Sequence, residues 1–161
     1  MRTVLLALTA FLLAVPAYGQ SGPEGDFLRS VRGVADIISG QRVGPQGDQV
    51  VDKVLGIGRD DAGAMIVTGI QVLAPGASND GIQINGRAIA ALRTRASTPG
   101  GNQAPDPDDI AYVRRTGLRL FIVGEWATPP ILWEIERDHS NARLRAIGPD
   151  GRPGPWQAPA G

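Results

Sequence analysis

Apolar residues between positions 26 and 39 recur at the spacing of one helical face. Six of them fall on a single stripe: Phe27, Leu28, Val31, Val34, Ile37 and Ile38. Asp26 is a suitable N-cap and Gly40 a suitable C-terminal stop, so the pattern predicts a helix from Asp26 to Ser39. We expect this stripe to pack on the protein's own core; the alternative is a docking face for a partner or a membrane surface.

From residue 50 onward the pattern changes to short runs rich in β-branched residues, which are typical of strands. The predicted strands are 50–58, 64–73, 118–126, 131–137 and 142–146. Asn85-Gly86 suits a type I′ turn, so we also expect a tight hairpin over 82–89. Residues 86–96 are interpreted as strand, with a helix as the alternative because alanine is frequent there.

Residues 107–116 fit two structures. Four residues occupy positions that favour a short helix: Asp106 as N-cap, Pro107 and Asp109 in the first turn, and Gly117 after the last. Against this, side chains from Ile110 to Arg115 alternate as they would in a strand. The positional signals agree with one another, so we predict the helix.

Together these elements predict a mainly β protein, a small antiparallel β-sandwich or barrel-like sheet of about six to eight strands with an N-terminal helix. The alternative is an α+β fold with extra short helices near 86–96 and 107–116. A single globular domain is expected over 26–147, after a lead at 20–25. The tail 148–161 is rich in glycine and proline, and no regular structure is expected there.

The first nineteen residues resemble a removable export signal in their pattern. A positive start at Arg2 precedes an apolar run of twelve residues at 4–15, and small residues follow at Ala17 and Gly19. Such a run spans about 18 Å as a helix, short of the roughly 30 Å hydrocarbon core. We therefore expect cleavage after Gly19 or Ala17, no transmembrane helix in the mature chain, and a periplasmic or secreted bacterial protein.

Composition excludes several classes of site. The chain has no cysteine and one histidine, which excludes disulfides, thiolate metal sites and sites that need two imidazoles. Lys+Arg and Asp+Glu are both 16, and few aromatic residues lie among the arginines, so nucleic acid is not an expected partner. The acids from Asp106 to Asp109 lack the order of a calcium-binding loop. No metal and no cofactor are predicted.

Carboxylates on the predicted strands 118–126 and 131–137 are the catalytic candidates. Glu125 and Glu134 would lie on neighbouring strands, and paired carboxylates of this kind hydrolyse glycosidic bonds. Trp126 and Trp133 lie beside them, a composition also found where proteins bind sugars. The alternative is a solvated strand face whose acids pair with arginines on the next strand.

Arginines are the stronger binding candidates. Arg93 and Arg95 share one face of a predicted strand, and Arg143 and Arg145 share another. Such faces can bind sulfate, phosphate or carboxylate groups, unless acids lie opposite them. The sequence therefore favours an exported, non-catalytic β-rich module that binds a protein partner or an anionic envelope polymer, through these arginines and the two tryptophans. The alternatives are a small carbohydrate-active hydrolase and a structural component of an envelope assembly.

Overall fold

The computed structural model describes residues 22–39, 51–95, 104–124 and 129–159. Its elements are α1 (Pro23–Ser39), β1 (Asp52–Arg59), β2 (Met65–Leu73), a short 3-10 turn (Asn79–Gly81), β3 (Ala90–Arg95), α2 (Pro107–Thr116), β4 (Arg119–Gly124), β5 (Ile131–Asp138) and β6 (Asn141–Ile147). No helix in these ranges has the length and the hydropathy that crossing a membrane would require.

The described strands form one sheet in the order β2-β1-β3-β4-β5-β6. Neighbours are antiparallel except β3 and β4, which are parallel because α2 carries the chain back across the sheet between them. The prediction of a mainly β protein with an N-terminal helix is confirmed. The sheet is mixed rather than purely antiparallel, and it does not close, so neither the sandwich nor the barrel is confirmed.

The two helices lie on opposite faces of the sheet, since alternate strand residues pack on each. On one face, α1 packs through Phe27 and Val31 in a cluster that includes Phe121. On the other, α2 packs through Ile110 and Val113. The predicted apolar stripe of α1 is therefore occupied by the protein's own core, apart from Ile37, which stays exposed.

The helix predicted over 107–116 is confirmed. The Asp106 carboxylate accepts a hydrogen bond from the Asp109 backbone N–H, and the Asp109 carboxylate accepts one from the Asp106 backbone N–H. This reciprocal pair caps donors that would otherwise lack partners. Gly117 ends the helix with φ 72°. The apparent alternation from Ile110 to Arg115 is misleading, because the residues that become buried (Asp109, Ile110, Tyr112 and Val113) share one face of a helix.

Strand is also confirmed within 86–96, where β3 forms, and the helix alternative there is wrong. The hairpin predicted over 82–89 is wrong too, since residues 82–85 form no strand. Ile82 and Ile84 instead pack against the α2-side core, and the Asn85 side chain donates to the Thr68 carbonyl at 2.6 Å. Packing on another strand therefore outweighs the local preference of Asn-Gly for a hairpin.

The C-terminal segment returns along β6. Leu144 and Gln157 exchange two backbone hydrogen bonds, of 2.9 and 2.8 Å, and Gly154 donates to the Ala146 carbonyl at 2.8 Å. Before reaching this edge the segment passes α1 at Gly151, which is buried. The glycine- and proline-rich composition thus prevents a regular strand but still permits isolated pairing.

Replacing Gly151 with alanine is expected to lower the free energy of unfolding by about 2–4 kcal/mol. Gly151 has φ 76°, and an added Cβ would lie 2.9 Å from the Arg29 Cα. Gly76→Ala is the matched control, because Gly76 has φ 73° but no heavy atom within 4 Å of the added carbon. Urea denaturation of both variants isolates the contact with α1, and equal losses would contradict it.

Candidate functional site

Arg93 is buried on the α2 side of the sheet, with a side chain only 3% exposed. Its guanidinium donates to the Asp52 carboxylate at 2.5 Å, to the Asn79 amide oxygen at 2.5 Å and to the Ala77 carbonyl at 2.6 Å. A guanidinium with three protein acceptors and almost no exposure is placed to stabilise the fold. It joins β1, β3 and the 3-10 turn.

Arg95 lies two residues further along β3, on the same face. It pairs with Asp109 at 2.5 Å and with Asp106 at 2.9 Å, and so ties the sheet to the first turn of α2. Burial raises the pKa of the Asp109 carboxyl above its ordinary value, while the Arg95 guanidinium acts in the opposite direction. The ion pair with Arg95 therefore offsets only part of the desolvation of this carboxylate.

The second arginine pair belongs to a row of charges on the α1 side. Arg145 donates to Glu134 at 2.6 Å, and Arg143 donates to Glu136 at 2.8 Å. Glu134 is fully buried and also accepts from Arg119. Burial opposes a raised pKa for the Arg119 guanidinium, but hydrogen bonds and charge from Glu24 and Glu134 outweigh it and raise the pKa.

Trp156 of the C-terminal segment extends this row. The guanidinium carbons of Arg145 and Arg143 lie 4.0 and 4.4 Å from the centroid of its ring. At these distances both cations interact with the π system of the indole. Sequence reasoning did not select Trp156, because this residue lies in a segment with no periodic pattern.

Of the three remaining candidates, Trp133, Trp126 and Glu125, the structure describes only Trp133. Trp133 is half-buried on the α2 side of the sheet, where it packs against the core cluster that contains Ile110, Val113 and Ile135. It is therefore on the opposite face from Glu134. Glu125 and Trp126 lie outside the described residues.

A groove lies between α2 and the C-terminal segment, at the β6 edge of the sheet. Its volume is about 970 Å³. Apolar residues contribute much of its lining, including Pro107, Ile110, Leu144, Trp156, Ala158 and Pro159. Side chains from one helix, one strand and the returning tail thus meet around a single cavity.

Charged side chains of both signs and neutral amide side chains complete the lining of this groove. They include Asp106, Arg114, Asp138, Asn141 and Gln157. Arg114 donates to the Asn141 amide oxygen at 3.3 Å across it. Sequence reasoning missed the groove because three separate segments build it, and no local pattern relates them.

Comparison of the chain with protein-family models, with curated proteins and with solved structures finds no match.

Proposed function

We propose that this chain is an exported, non-catalytic module that binds an extended segment of a partner protein in the groove between α2 and the C-terminal segment. The groove itself carries the proposal. Its volume of about 970 Å³ lies at the upper end of ordinary ligand pockets, which leaves room for several side chains of a bound segment.

The lining of the groove favours a polypeptide as the occupant. Proline, isoleucine and leucine side chains offer apolar contacts, and Arg114 and Asp138 offer charges of opposite sign. A protein segment can satisfy both, since it carries apolar side chains together with backbone and charged groups. A polymer of one charge sign would meet a like charge at one of these two residues.

The arginines argue in the same direction. Arg93, Arg95, Arg143 and Arg145 each form an ion pair with a carboxylate of the chain itself. An anionic polymer would have to displace these carboxylates, and for the largely buried pairs of Arg93, Arg95 and Arg145 the loss of the partner costs about 3–5 kcal/mol. This favours the protein-partner form of the proposal over the envelope-polymer form.

Two further contacts weigh against a carbohydrate-active enzyme. Glu134 is fully buried and bound by two arginines, so a sugar could reach it only after the row of charges opened. Trp156 has Arg143 and Arg145 near its ring, which limits sugar stacking on that residue. A binding role without catalysis therefore has more support than a carboxylate-pair mechanism.

Export remains part of the proposal. It is supported by the amino-acid pattern of residues 1–19, which lie outside the described residues, and not by the fold. It places the partner in the periplasm or outside the cell. Comparison of the N-terminal residue of the protein recovered from the periplasm with that of the encoded chain tests this part independently.

Filling the groove should weaken binding. Peptides selected against the purified chain from a phage-displayed library of random linear sequences are the probe. Ala158→Trp places a large ring at an exposed position in the groove lining. We expect this substitution to raise the dissociation constants of the selected peptides at least about tenfold. Fluorescence anisotropy with a labelled peptide measures the change.

Ala62→Trp is the matched control, because Ala62 is also an exposed alanine but lies in the β1–β2 turn. It should leave peptide affinity unchanged. Equal affinity for both variants, or a selection that yields no peptide while purified polysaccharide binds, would contradict the proposal.

A further inference from the structure

The two edges of the sheet differ in a way that the proposed groove does not explain. At the β6 edge, the chain's own C-terminal segment pairs with Leu144 and Ile147. At the other edge, β2 has β1 as its only neighbour among the described strands. An uncovered edge offers a row of backbone donors and acceptors to any strand that approaches it.

The sequence of β2 lacks the features that normally prevent such pairing. Its nine residues, MIVTGIQVL, include no charge and no proline. Exposed edges usually carry charged residues or proline because these block a second strand. Two features limit pairing near Thr68, a bulge and the Asn85 side chain that donates to the Thr68 carbonyl, and both leave Gly69–Leu73 in regular register with β1.

Exposed apolar side chains lie on this same strand. Ile70 is 73% exposed and Val72 is 51% exposed. Their β1 partners are Leu55 and Lys53, so both residues are on the face of the sheet that α1 covers. A partner at this edge can therefore supply both a strand and an apolar surface.

A second copy of the chain supplies both. We infer that the protein forms a two-fold dimer in which the β2 strands of two copies pair antiparallel and continue the sheet across the interface. In a two-fold dimer, a residue near the axis lies opposite or close to the same residue of the second copy. A charged residue in such a position would face a like charge, which destabilises pairing. β2 meets this condition because it has no charge at all, and the formal net charge of the chain is zero.

The regular part of β2 locates the axis. Gly69–Leu73 is centred on Gln71, so pairing of this segment with its own copy puts Ile70 opposite Val72 of the second copy. Opposite residues of an antiparallel pair share a face, so these four side chains would cover one another. The dimer thus removes the most exposed apolar residues of the sheet from water without involving the groove at the opposite edge.

Sedimentation equilibrium of the purified chain tests the dimer. We expect a dimer for the native sequence, and we expect Ile70→Lys to raise its dissociation constant at least about tenfold. The side chain is exposed, so lysine is compatible with the fold of a single copy. Ile131→Lys is the control: Ile131 is also an exposed isoleucine, but it lies on β5, and its replacement should leave the dimer intact.

Cysteine crosslinking tests the register. The chain has no cysteine, so Ile70→Cys and Val72→Cys variants can be co-expressed with different tags. Opposite Cβ atoms lie about 4.5–5.5 Å apart and diagonal ones about 7–8 Å, so the mixed disulfide should form in preference to either symmetric one. A monomeric native chain, a dimer unaffected by Ile70→Lys, or preferred symmetric disulfides would each overturn the inference.

Discussion

Glu134→Gln is expected to lower the free energy of unfolding by about 3–5 kcal/mol. The Glu134 carboxylate is fully buried, and its two oxygens accept from Arg119 and Arg145, whose side chains are 21% and 9% exposed. Removing its charge leaves the largely buried Arg145 without its carboxylate partner and leaves Arg119 with Glu24 alone. Removing one partner of a buried ion pair costs far more than the intact pair contributes, because the desolvation of the remaining charge is no longer compensated.

Glu136→Gln is the control for this prediction. Glu136 lies two residues away on the same face of β5 and pairs with Arg143, but the two side chains are 22% and 40% exposed. Water can solvate the remaining arginine, so the expected loss is at most about 1 kcal/mol. Urea denaturation of both variants measures the two losses. Similar losses would show that burial does not determine how much each of these ion pairs contributes to the free energy of unfolding.

Arg93→Met is expected to cost about 3–5 kcal/mol as well. It removes a cation that is 3% exposed, and it takes partners from the Asp52 carboxylate, the Asn79 amide and the Ala77 carbonyl. Arg87→Met is the matched control, since Arg87 is an exposed arginine in the connection before β3. Its replacement should change stability by no more than about 0.5 kcal/mol.

Combining Arg93→Met with Asp52→Asn separates the ion pair from the other contacts of Arg93. Each single variant leaves one buried charge, of Asp52 or of Arg93, without the other member of this ion pair, whereas the double variant removes both charges. The double variant should therefore lose less stability than the sum of the two single variants. Strictly additive losses in urea denaturation would contradict a coupled Arg93–Asp52 pair.

Much of the secondary structure could be predicted because its signals are local. The stripe from Phe27 to Ile38 requires only helical spacing, and α1 forms over Pro23–Ser39. The caps at Asp106 and Gly117 likewise depend on neighbouring residues, and α2 forms between them. By contrast, the parallel pairing of β3 with β4 depends on where α2 packs, which no single segment encodes.

The contacts of the site residues could likewise be predicted where they are local in sequence, and not where they are distant. Pairing of Arg143 and Arg145 with acids on the preceding strand was open to prediction, since a tight turn at His139 and Ser140 sets the register. The partner of Arg93 was not, because Asp52 is 41 residues away in the chain. The groove could not be predicted either, since its walls meet only after the C-terminal segment has returned along β6.

Crosslinking in the producing cell tests the proposed binding role most directly. A photo-reactive amino acid would be placed at Gln157, which is exposed and lines the groove, and in a second strain at Asp61, which is exposed in the β1–β2 turn. We predict that illumination yields a discrete adduct with one exported protein at position 157, attached through an extended segment of that protein, and no such adduct at position 61. The absence of a protein adduct at 157, or the same adduct at both positions, would contradict a partner-binding groove.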